Sequence, residues 1–562
     1  MAVHQGAPAQ TLTSRWPISD PSRLSPVDTS TGRGVLLSRE GGCACVRVET
    51  VSPGKPLRAA PSPFVAAVVI LLGALLLLWP TILNRQPFFL SDTTSYIRGA
   101  DAAVYKAFGV RTDWTERFFD RYGTGQQERN AAAAAQAPAE GTGRPITLSG
   151  RSIYYGALLY TADRLGGLWL AAVLQALLAS LCLYLTLVRF IHGRRDAAGP
   201  FLLLTAALSA GSSLAYFTGY LTPDLFSGLG ILAAAHLLCR GPPLTAGQKT
   251  FWFVVLCWSA LAHGSNILIL LVVVVALLLA TFTLRMPDRR AIALIVCAIA
   301  VGIAGELLFS GAVRAISGDA PVRPPFLSAR LIADGPGLAY LERTCPRSGF
   351  ELCRHVDGMS GSSDAILWGQ KGTRGVFSAV GNDERRRLGN EDLRFALAVL
   401  ADRPVDVIGS STRSVLAQAG KWRLREFNNV PGQSSELLAK LPPRVAGELA
   451  GSLAYRQTMP VRGVEMLSLV ATLAGLALLL WALLRRSTDP ELRLFLAVLL
   501  LGIAADIAVC GAISTPHDRY LMRVLWLIPM GAFINLIQPR VRRRTGATSD
   551  ASRSAAQKAS TG

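Results

Sequence analysis

Charged residues are scarce in this sequence, and their scarcity excludes an ordinary soluble protein. Asp, Glu, Lys and Arg make up only 17% of the 562 residues, whereas 51% are hydrophobic and the mean hydropathy is +0.36. Soluble globular domains contain about 25% charged residues. A membrane protein is the class that this composition fits.

The apolar residues are concentrated in long windows. The hydrocarbon core of a bilayer requires roughly 20 apolar residues in a helix, and about ten windows approach or reach that length. Some are short, which is common for helices that line a cavity. The windows predict an all-α polytopic membrane protein with about ten transmembrane helices and a mainly α external insert between the seventh and the eighth. They are, in chain order, Phe64–Leu83, Leu168–Val188, Phe201–Phe217, Leu225–Leu238, Phe251–Leu261, Ile267–Leu284, Ala291–Phe309, Met466–Leu484, Leu494–Ile513 and Leu521–Ile537.

The net charge of +20 follows the membrane topology rather than a nucleic-acid partner. Basic residues follow every second window, and the alternate short links carry only Arg519. This positive-inside pattern predicts a multi-pass protein of the cytoplasmic (inner) membrane with both termini cytoplasmic, and no nucleic acid among its partners. The basic residues are Arg189, Arg194, Arg195, Arg240, Lys249, Arg285, Arg289, Arg290, Arg485, Arg486, Arg493, Arg540, Arg542, Arg543 and Arg544.

The same pattern divides the chain into consecutive parts. Residues 1–60 are predicted to be a disordered cytoplasmic tail, because they are polar, basic and rich in Pro, Gly and Ser. The first window begins too far from Met1 for a cleaved signal peptide, and a start codon placed too far upstream would give the same appearance. The other parts are 61–313, the first part of the transmembrane bundle, with an external loop at 85–166; 314–463, an external cap domain; 464–538, the second part of the bundle; and 539–562, a basic cytoplasmic tail.

The predicted cap offers few chemical signals. It contains no repeat, P-loop, GxSxG or paired CxxC motif, although Leu393–Leu400 and Leu437–Leu453 have helical patterns. Cys345 and Cys353 lie close together in its sequence. In an oxidising envelope compartment they would form a structural disulfide.

Polar side chains gather in the links on the predicted external side. The links on the other side consist mostly of Arg, Lys, Pro and Gly. A spanning scaffold alone does not need acids, imidazoles and an amide on one face, so this asymmetry indicates an active site there. The external turns read Leu90-Ser91-Asp92-Thr93-Thr94-Ser95-Tyr96, Leu221-Thr222-Pro223-Asp224, His263-Gly264-Ser265-Asn266 and Thr515-Pro516-His517-Asp518-Arg519-Tyr520.

Asp92 follows the first window, behind the aromatic residues Phe88 and Phe89, which favour the membrane interface. A carboxylate held there can act as a general base toward an incoming hydroxyl, or bind a divalent ion that bridges a phosphate. The alternative is a helix N-cap, because Ser91-Asp92-Thr93-Thr94 also resembles a helix start. Asp101, further along, is predicted to lie on a solvated helix face.

Arg519 and Arg523 are spaced i,i+4 at the start of the last window, so both guanidinium groups lie on one helix face. Such a pair at headgroup depth suits a phosphate or pyrophosphate, which guanidinium binds in a fork. The alternative is that both side chains snorkel to the lipid surface. His517 and Asp518 adjoin the pair in a turn that begins with proline, which favours phosphate binding.

The remaining candidates are Asp224, His263, Asn266 and Glu306. Asp224 begins a span, where a helix N-cap is the alternative role. His263 and Asn266 occupy a link so short that its residues must stay near the bundle, where they can contact a substrate. Glu306 lies within a span, as does Asp506, and an intramembrane carboxylate usually faces a cavity or a charged partner.

These turns resemble those of the GT-C superfamily of integral-membrane glycosyltransferases, multi-span enzymes that use polyprenyl-phosphate-linked sugars. In that family the catalytic or metal-linked carboxylate is an Asp just past the first span. Leu90-Ser91-Asp92-Thr93-Thr94-Ser95-Tyr96 matches this placement, so the resemblance implies that role for Asp92. Gly150-Arg151-Ser152-Ile153-Tyr154-Tyr155 is similar to the amphipathic helices before the second span. Tyr220-Leu221-Thr222-Pro223-Asp224 resembles a recurring external turn, and His517-Asp518-Arg519-Tyr520 resembles turns that contact donor phosphate or sugar.

The resemblance implies transfer of a glycosyl group from a polyprenyl-phosphate-linked donor in the lipid bilayer to a glycan, lipid or protein acceptor on the external face. Asp92 would deprotonate or orient the acceptor hydroxyl, and the two arginines would hold the donor phosphate. His517, His263 and Asn266 would position the sugar.

Other functions and requirements stay open. Many GT-C members carry adjacent acids in the first loop, whereas Asp92 stands alone, so a divalent cation (Mg or Mn) and a metal-independent reaction are alternatives. A membrane transporter or lipid flippase would spread polar groups through the midplane and often show similar halves. In a noncatalytic envelope assembly protein, Asp92 would be dispensable.

Overall fold

The structure, a computed structural model, describes residues 63–118, 147–191, 197–280, 289–359, 361–369, 375–429 and 437–538. The tails predicted at 1–60 and 539–562, and the middle of the external loop 85–166, lie outside the described residues. Apart from two isolated β-bridges, the regular structure of the described residues is helical.

The helices explain most of the apolar windows. Two short 3₁₀ helices, Glu351–Gly358 and Arg425–Phe427, accompany the α-helices. The α-helices are, in chain order, α1 Pro63–Leu77, α2 Trp79–Asn84, α3 Ser91–Phe108, α4 Asp113–Phe118, α5 Ile153–Gly166, α6 Leu168–Phe190, α7 Ala198–Gly211, α8 Leu214–Thr218, α9 Leu225–Leu238, α10 Ala246–Ala262, α11 Gly264–Ala280, α12 Arg289–Ser317, α13 Phe326–Ala333, α14 Pro336–Thr344, α15 Ser363–Trp368, α16 Asn382–Asp402, α17 Pro404–Ala419, α18 Pro443–Ala450, α19 Arg462–Leu484, α20 Pro490–Ile513, α21 Asp518–Leu525 and α22 Leu527–Ile537.

Among the described residues, 5 helices are long and apolar enough to cross a membrane. They are α6, α12, α19, α20 and the nearly continuous pair α21–α22. Shorter apolar helices, α1, α7, α9 and α11, accompany them. The chain therefore has the helices of an all-α, multi-pass membrane protein, and the number of ten spans remains a prediction.

Several predicted helices are interrupted where the chain carries Pro or Ser. The window Phe64–Leu83 forms two helices, because a proline in the first turn of α2 cannot continue α1. The window Phe201–Phe217 is divided at Ser212, whose backbone is extended. In the segment Leu437–Leu453, Pro442 and Pro443 at the start of α18 separate that helix from the helical residues 437–439. Hydropathy does not register these breaks.

Helix α9 is the centre of the bundle. Its residues are buried on all sides except for the partly buried Leu237, and it packs against α10 and α20. Arg189 caps its C-terminal end by donating to the carbonyl oxygens of His236 at 2.6 Å and Cys239 at 2.7 Å. A buried helix end needs such a partner, because no water reaches its free carbonyl groups. The short window at α9 thus marks a helix surrounded by protein.

Residues 318–461, which we call the cap segment, contain two different kinds of packing. The first part has a hydrophobic core of its own, which includes Leu341, Leu388 and Phe395. The disulfide between Cys345 and Cys353 is present beside this core. The second part, with side chains such as Phe427 and Leu449, packs into the core of the bundle instead. The cap segment is therefore anchored to the helices beneath it.

Backbone contacts fix the loops at one end of the bundle. Phe88 N donates to Gly219 O at 2.9 Å, and Leu221 N donates to Phe88 O at 3.0 Å. Helix α3 then meets α5 at Gly156, where a Cβ atom would lie only 2.4 Å from the carbonyl oxygen of Tyr96. A side chain at this glycine would separate the two helices. Their close approach brings the start of α3 beside the loop that precedes α5.

Candidate functional site

A cavity of about 3170 Å³ opens at this end of the bundle. Its walls are the first turns of α3, the loop before α5, the link between α10 and α11, the C-terminal part of α12, the loop between α20 and α21, and the cap segment. Four predicted site regions therefore line one space. They are represented by Asp92, His263, Glu306 and His517 with Arg519.

Asp92 lies between two guanidinium groups at the wall of the cavity. Arg151 Nη2 donates to Asp92 Oδ1 at 2.6 Å, and Arg519 Nη2 lies 3.8 Å from Asp92 Oδ2. Asp92 is not the N-cap of α3, since the helix begins at Ser91 and the carboxylate binds Arg151. Burial alone would raise the pKa of Asp92, but the two arginines outweigh it and hold the pKa below its ordinary value. The carboxylate is consequently ionised at neutral pH.

Arg519 retains unused hydrogen-bonding capacity. Its Nη2 donates to Tyr520 Oη at 3.3 Å, while its buried Nε lies 3.9 Å from Glu426 Oε2 and makes no hydrogen bond to the described residues. Separations of 3.8 and 3.9 Å from its carboxylate neighbours exceed the hydrogen-bond range. These carboxylates therefore balance the charge of Arg519 without occupying its donors. A guanidinium in this state can accept a new oxyanion ligand.

His517 links the bundle to the cap segment. Its Nε2 lies 3.0 Å from Asp364 Oδ2 and its Nδ1 lies 3.5 Å from Glu426 Oε1. Gln418 holds the His517 backbone with two hydrogen bonds, of 2.9 and 3.0 Å. Burial opposes the charged imidazolium, but the two carboxylates outweigh it and raise the pKa of His517 to about 9. We call Asp92, Arg151, Arg519, Glu426, His517 and Asp364 the mouth cluster.

His263 is the neutral counterpart of His517. Its Nδ1 accepts hydrogen bonds from the Ser265 backbone N–H at 3.1 Å and is 2.8 Å from Ser265 Oγ, which places the ring proton on Nε2. Burial and the positive charge of Arg523 lower the pKa of His263 to about 3. A neutral Nε2–H on the cavity wall can donate a hydrogen bond to a bound hydroxyl or ring oxygen.

Arg523 lies behind Tyr520 and does not line the cavity, so its predicted role as a second phosphate ligand is corrected. Its side chain is 0% exposed. Its nitrogens bind Asp506 Oδ1 at 2.7 and 3.1 Å and Asp224 Oδ1 at 3.0 Å. Thr222 Oγ1 donates to the second oxygen of Asp224 at 2.7 Å. Asp224 occupies the N-cap position of α9, but its side chain makes no capping hydrogen bond and does not line the cavity. We call Arg523, Asp506 and Asp224 the sealed cluster.

Asn266 and Asp518 also have structural partners rather than open positions. Asn266 accepts from Ser227 Oγ at 2.7 Å and donates to Ser259 O at 2.9 Å, and it is only 2% exposed. The Asp518 carboxylate accepts from Arg425 Nε at 2.7 Å and is 4% exposed. Asn266 does not line the cavity, so its predicted contact with a substrate is corrected. Asp518 does line it, and its contact with a substrate stays a prediction.

Glu306 faces a cavity, as the sequence suggested, whereas Asp101 differs from its prediction. Glu306 is exposed on α12 and lines the cavity, so it remains a candidate for substrate contact. Asp101 is not on a solvated face. It is fully buried and accepts hydrogen bonds from Thr112 Oγ1 at 2.6 Å and Thr115 Oγ1 at 2.9 Å, which fix the end of α3.

The mouth cluster does not suit a divalent cation. Both oxygens of Asp92 face guanidinium groups, which would repel a metal ion. Among the described residues, no group of three His, Cys, Asp or Glu side chains is placed to hold one. Binding of Mg or Mn remains a prediction.

Sequence reasoning missed the roles of Arg151, Glu426 and Asp364. Arg151 stands in the polar loop directly before Ser152, the N-cap of α5, and an arginine at such a position next to an interfacial helix is a usable signal. Glu426 and Asp364 belong to the cap segment. Their approach to His517 depends on how that segment packs, and no local pattern reports it.

No known family model matches this sequence, and no curated protein or solved structure is detectably similar to it. The cavity therefore has to be interpreted from its own side chains.

Proposed function

We propose that the protein transfers a glycosyl group from a polyprenyl-phosphate-linked donor to an acceptor hydroxyl in this cavity. The observation that carries the proposal is the Asp92 carboxylate, held between Arg151 and Arg519 at the cavity wall. Such a transfer needs a base and two cations that bind phosphate. All three must lie within the distance that one sugar phosphate spans.

The reaction is a single displacement at the anomeric carbon. The acceptor oxygen forms a bond to this carbon while the bond between the carbon and the phosphate oxygen breaks. The leaving phosphate takes the electron pair and gains negative charge, which Arg151 and Arg519 stabilise. Asp92 accepts the proton of the acceptor hydroxyl.

Binding of the donor makes the Asp92 carboxylate a stronger base. The two arginines hold the pKa of Asp92 low, which makes it a weak base. A donor phosphate that takes their donors neutralises their charge, so the pKa of Asp92 rises and the carboxylate becomes a better proton acceptor. In this proposal His263 Nε2–H donates to a sugar hydroxyl, whereas His517, whose ring nitrogens lie beside Asp364 and Glu426, contributes positive charge near the sugar.

A lipid carrier is favoured by the apolar part of the cavity wall. Ile303, Leu307 and Ile316 of the apolar helix α12 line the cavity and are 47%, 68% and 57% exposed. These side chains can cover a polyprenyl chain while its phosphate reaches the mouth cluster. A donor that arrives through the bilayer needs no nucleotide-binding domain.

The test is turnover of synthetic short-chain polyprenyl-phosphate sugars by the full chain in nanodiscs, measured as released polyprenyl phosphate. Asp92→Asn should lower the rate about 100-fold or more, because general-base catalysis is removed. The matched control is Asp319→Asn, a carboxylate on the same cavity wall that pairs with Arg386 instead. Its rate should stay close to that of the unmodified protein. Equal rates for the two variants would contradict the proposal, as would vectorial movement of the lipid without transfer.

A further inference from the structure

Helix α17 has its apolar side outward. Val405, Ile408 and Leu416 are 79%, 64% and 68% exposed, and at helical spacing they share one face. The opposite face includes Ser410, Ser414 and Gln418, which are 3%, 9% and 0% exposed, together with the partly buried Val407. In a water-soluble helix the apolar stripe faces the protein and the polar residues face solvent. Helix α17 is the reverse.

The inward face of α17 packs as helices do within membranes. Small residues at an interface allow two helix backbones to approach closely. Here α17 crosses the end of the spanning helix α20 at Gly511, where an added Cβ would lie 2.7 Å from Val415 Cα and 3.1 Å from Ser414 O. Because Gly511 belongs to the last turn of a span, α17 lies at the depth where that span reaches the membrane boundary.

The preceding helix continues the exposed surface. Leu393, Leu397 and Leu400 of α16 are 62%, 57% and 43% exposed, and only Arg403 separates α16 from α17. These fractions match those of Met466, Val470 and Leu473 on the spanning helix α19, at 53%, 65% and 58%. The N-terminal half of α16, in contrast, carries charged residues.

We propose that α17 is a membrane-surface helix whose Val405, Ile408 and Leu416 face contacts lipid. An interfacial helix buries its apolar face at the boundary between headgroups and acyl chains. Lipid is the occupant that explains both the inverted polarity and the position beside the end of a span. Two charged groups near the start of the helix, Arg403 and Asp406, form an ion pair of 3.2 Å that can remain among the headgroups.

This contact bears on the mouth cluster through Gln418. The same helix that lies on the bilayer donates from Gln418 Nε2 to His517 O and accepts at Oε1 from His517 N. The depth of α17 in the membrane therefore sets the height of the His517 turn. The inference rests on membrane insertion alone and stands whether or not the cavity performs sugar transfer.

The test measures the surroundings of single labels on the full chain in vesicles of phosphatidylcholine and phosphatidylglycerol. Ile408→Cys and Leu416→Cys each receive an environment-sensitive fluorophore, and labelling of the parent protein is subtracted. The control is Asp383→Cys, an exposed position at the charged end of α16. Lipids with a nitroxide on the upper acyl chain and aqueous iodide serve as the two quenchers.

Labels at 408 and 416 should lose most of their fluorescence to nitroxide lipids and little to iodide, whereas the label at 383 should show the opposite. Quenching of the 408 and 416 labels by iodide alone would overturn the proposal. Protection from both quenchers, with disulfide-linked dimers formed through Ile408→Cys, would also overturn it and assign the face to a second copy of the chain.

Discussion

Two ionic clusters lie at the same end of the bundle, and one turn of α21 connects them, yet they are built differently. In the sealed cluster, Arg523 is 0% exposed and binds its carboxylates at 2.7 to 3.1 Å. In the mouth cluster, Arg519 is 14% exposed and lies 3.8 and 3.9 Å from its carboxylates. Tyr520 separates the two guanidinium groups, at 5.0 Å from Arg519 and 5.2 Å from Arg523.

The difference indicates which arginine is available for a ligand. Removing a buried charge from its partners is costly, because no water replaces them. The ion pairs of Arg523 therefore hold α9, α20 and α21 together. Arg519 has neighbours that neutralise its charge but leave its Nε without a hydrogen bond among the described residues. An oxyanion from the cavity can complete its coordination.

The comparison is tested most strongly by the same substitution at both arginines. Arg523→Leu leaves Asp506 and Asp224 buried without their cation, so the free energy of unfolding should fall by about 3–5 kcal/mol. Arg519→Leu should cost at most about 1 kcal/mol, since its partners are distant and partly solvated. Unfolding of the purified full chain in detergent, followed by heating or denaturant, measures both.

A second substitution shows whether charge is the cause. In Arg523→Leu with Asp506→Leu, one of the orphaned carboxylates is removed, and part of the lost stability should return. Similar costs at positions 519 and 523 would mean that the two clusters do not differ as described.

The sequence predicted that several polar side chains lie at one end of the bundle. It did not predict which of them face the cavity and which are buried in ion pairs. Turn composition was enough to bring Asp92, His517 and Arg519 to one end of the bundle, because alternate links of a helical bundle share a side. Helical spacing placed Arg523 on the same face as Arg519. Spacing cannot report that Asp506, on another helix, reaches Arg523 first. That outcome depends on tertiary packing around α9.

The second test concerns affinity for phosphate. Arg519→Lys and Arg151→Lys keep the charge but lose the planar fork, so each should weaken binding of polyprenyl phosphate about tenfold, which equals about 1.4 kcal/mol. The control is Arg425→Lys, because Arg425 lines the same cavity, is 60% exposed and pairs with Asp518. The affinity of the Arg425→Lys variant for polyprenyl phosphate should equal that of the unmodified protein. Binding is measured by thermophoresis of the full chain in nanodiscs.

A substitution of Asp92 should not weaken the binding of polyprenyl phosphate in the same assay. Asp92→Asn removes the carboxylate that competes with phosphate for Arg151 and Arg519, so polyprenyl phosphate should bind as tightly as before or more tightly. Weaker binding by Asp92→Asn would show that Asp92 supports the ligand directly. The arginines would then not be the phosphate site.

Residues of the cap segment mark the limit of sequence reasoning. Asp364 lies in a short helix whose neighbours carry no motif, and Glu426 lies in a 3₁₀ turn. Neither has a local pattern that points to His517. Glu426 reaches it because the second part of the cap segment packs into the bundle core. Asp364 belongs to the first part, with its separate core, and the neighbouring Ser363 contacts Thr515 in the loop before His517 at 2.6 Å.

The smallest expected effect is a change of stability with pH, which differs between His517 and His263. The pKa of His517 is raised from its ordinary value of 6.5 to about 9, so its contribution to stability is complete below pH 6.5 and is lost as the pH rises through 9. Because the side chain is 34% exposed, solvent screening reduces this contribution to about 1 kcal/mol.

His263, with its pKa lowered to about 3, destabilises the fold only as the pH falls below 6.5. Between pH 7 and 9 the melting temperature of the full chain should therefore decline, and His517 should account for part of that decline. His517→Gln should flatten this alkaline decline, and His263→Gln should leave it in place, since the neutral imidazole has no proton to lose in that range. An alkaline decline as steep in His517→Gln as in the unmodified protein would mean that the carboxylates of the mouth cluster do not hold an imidazolium.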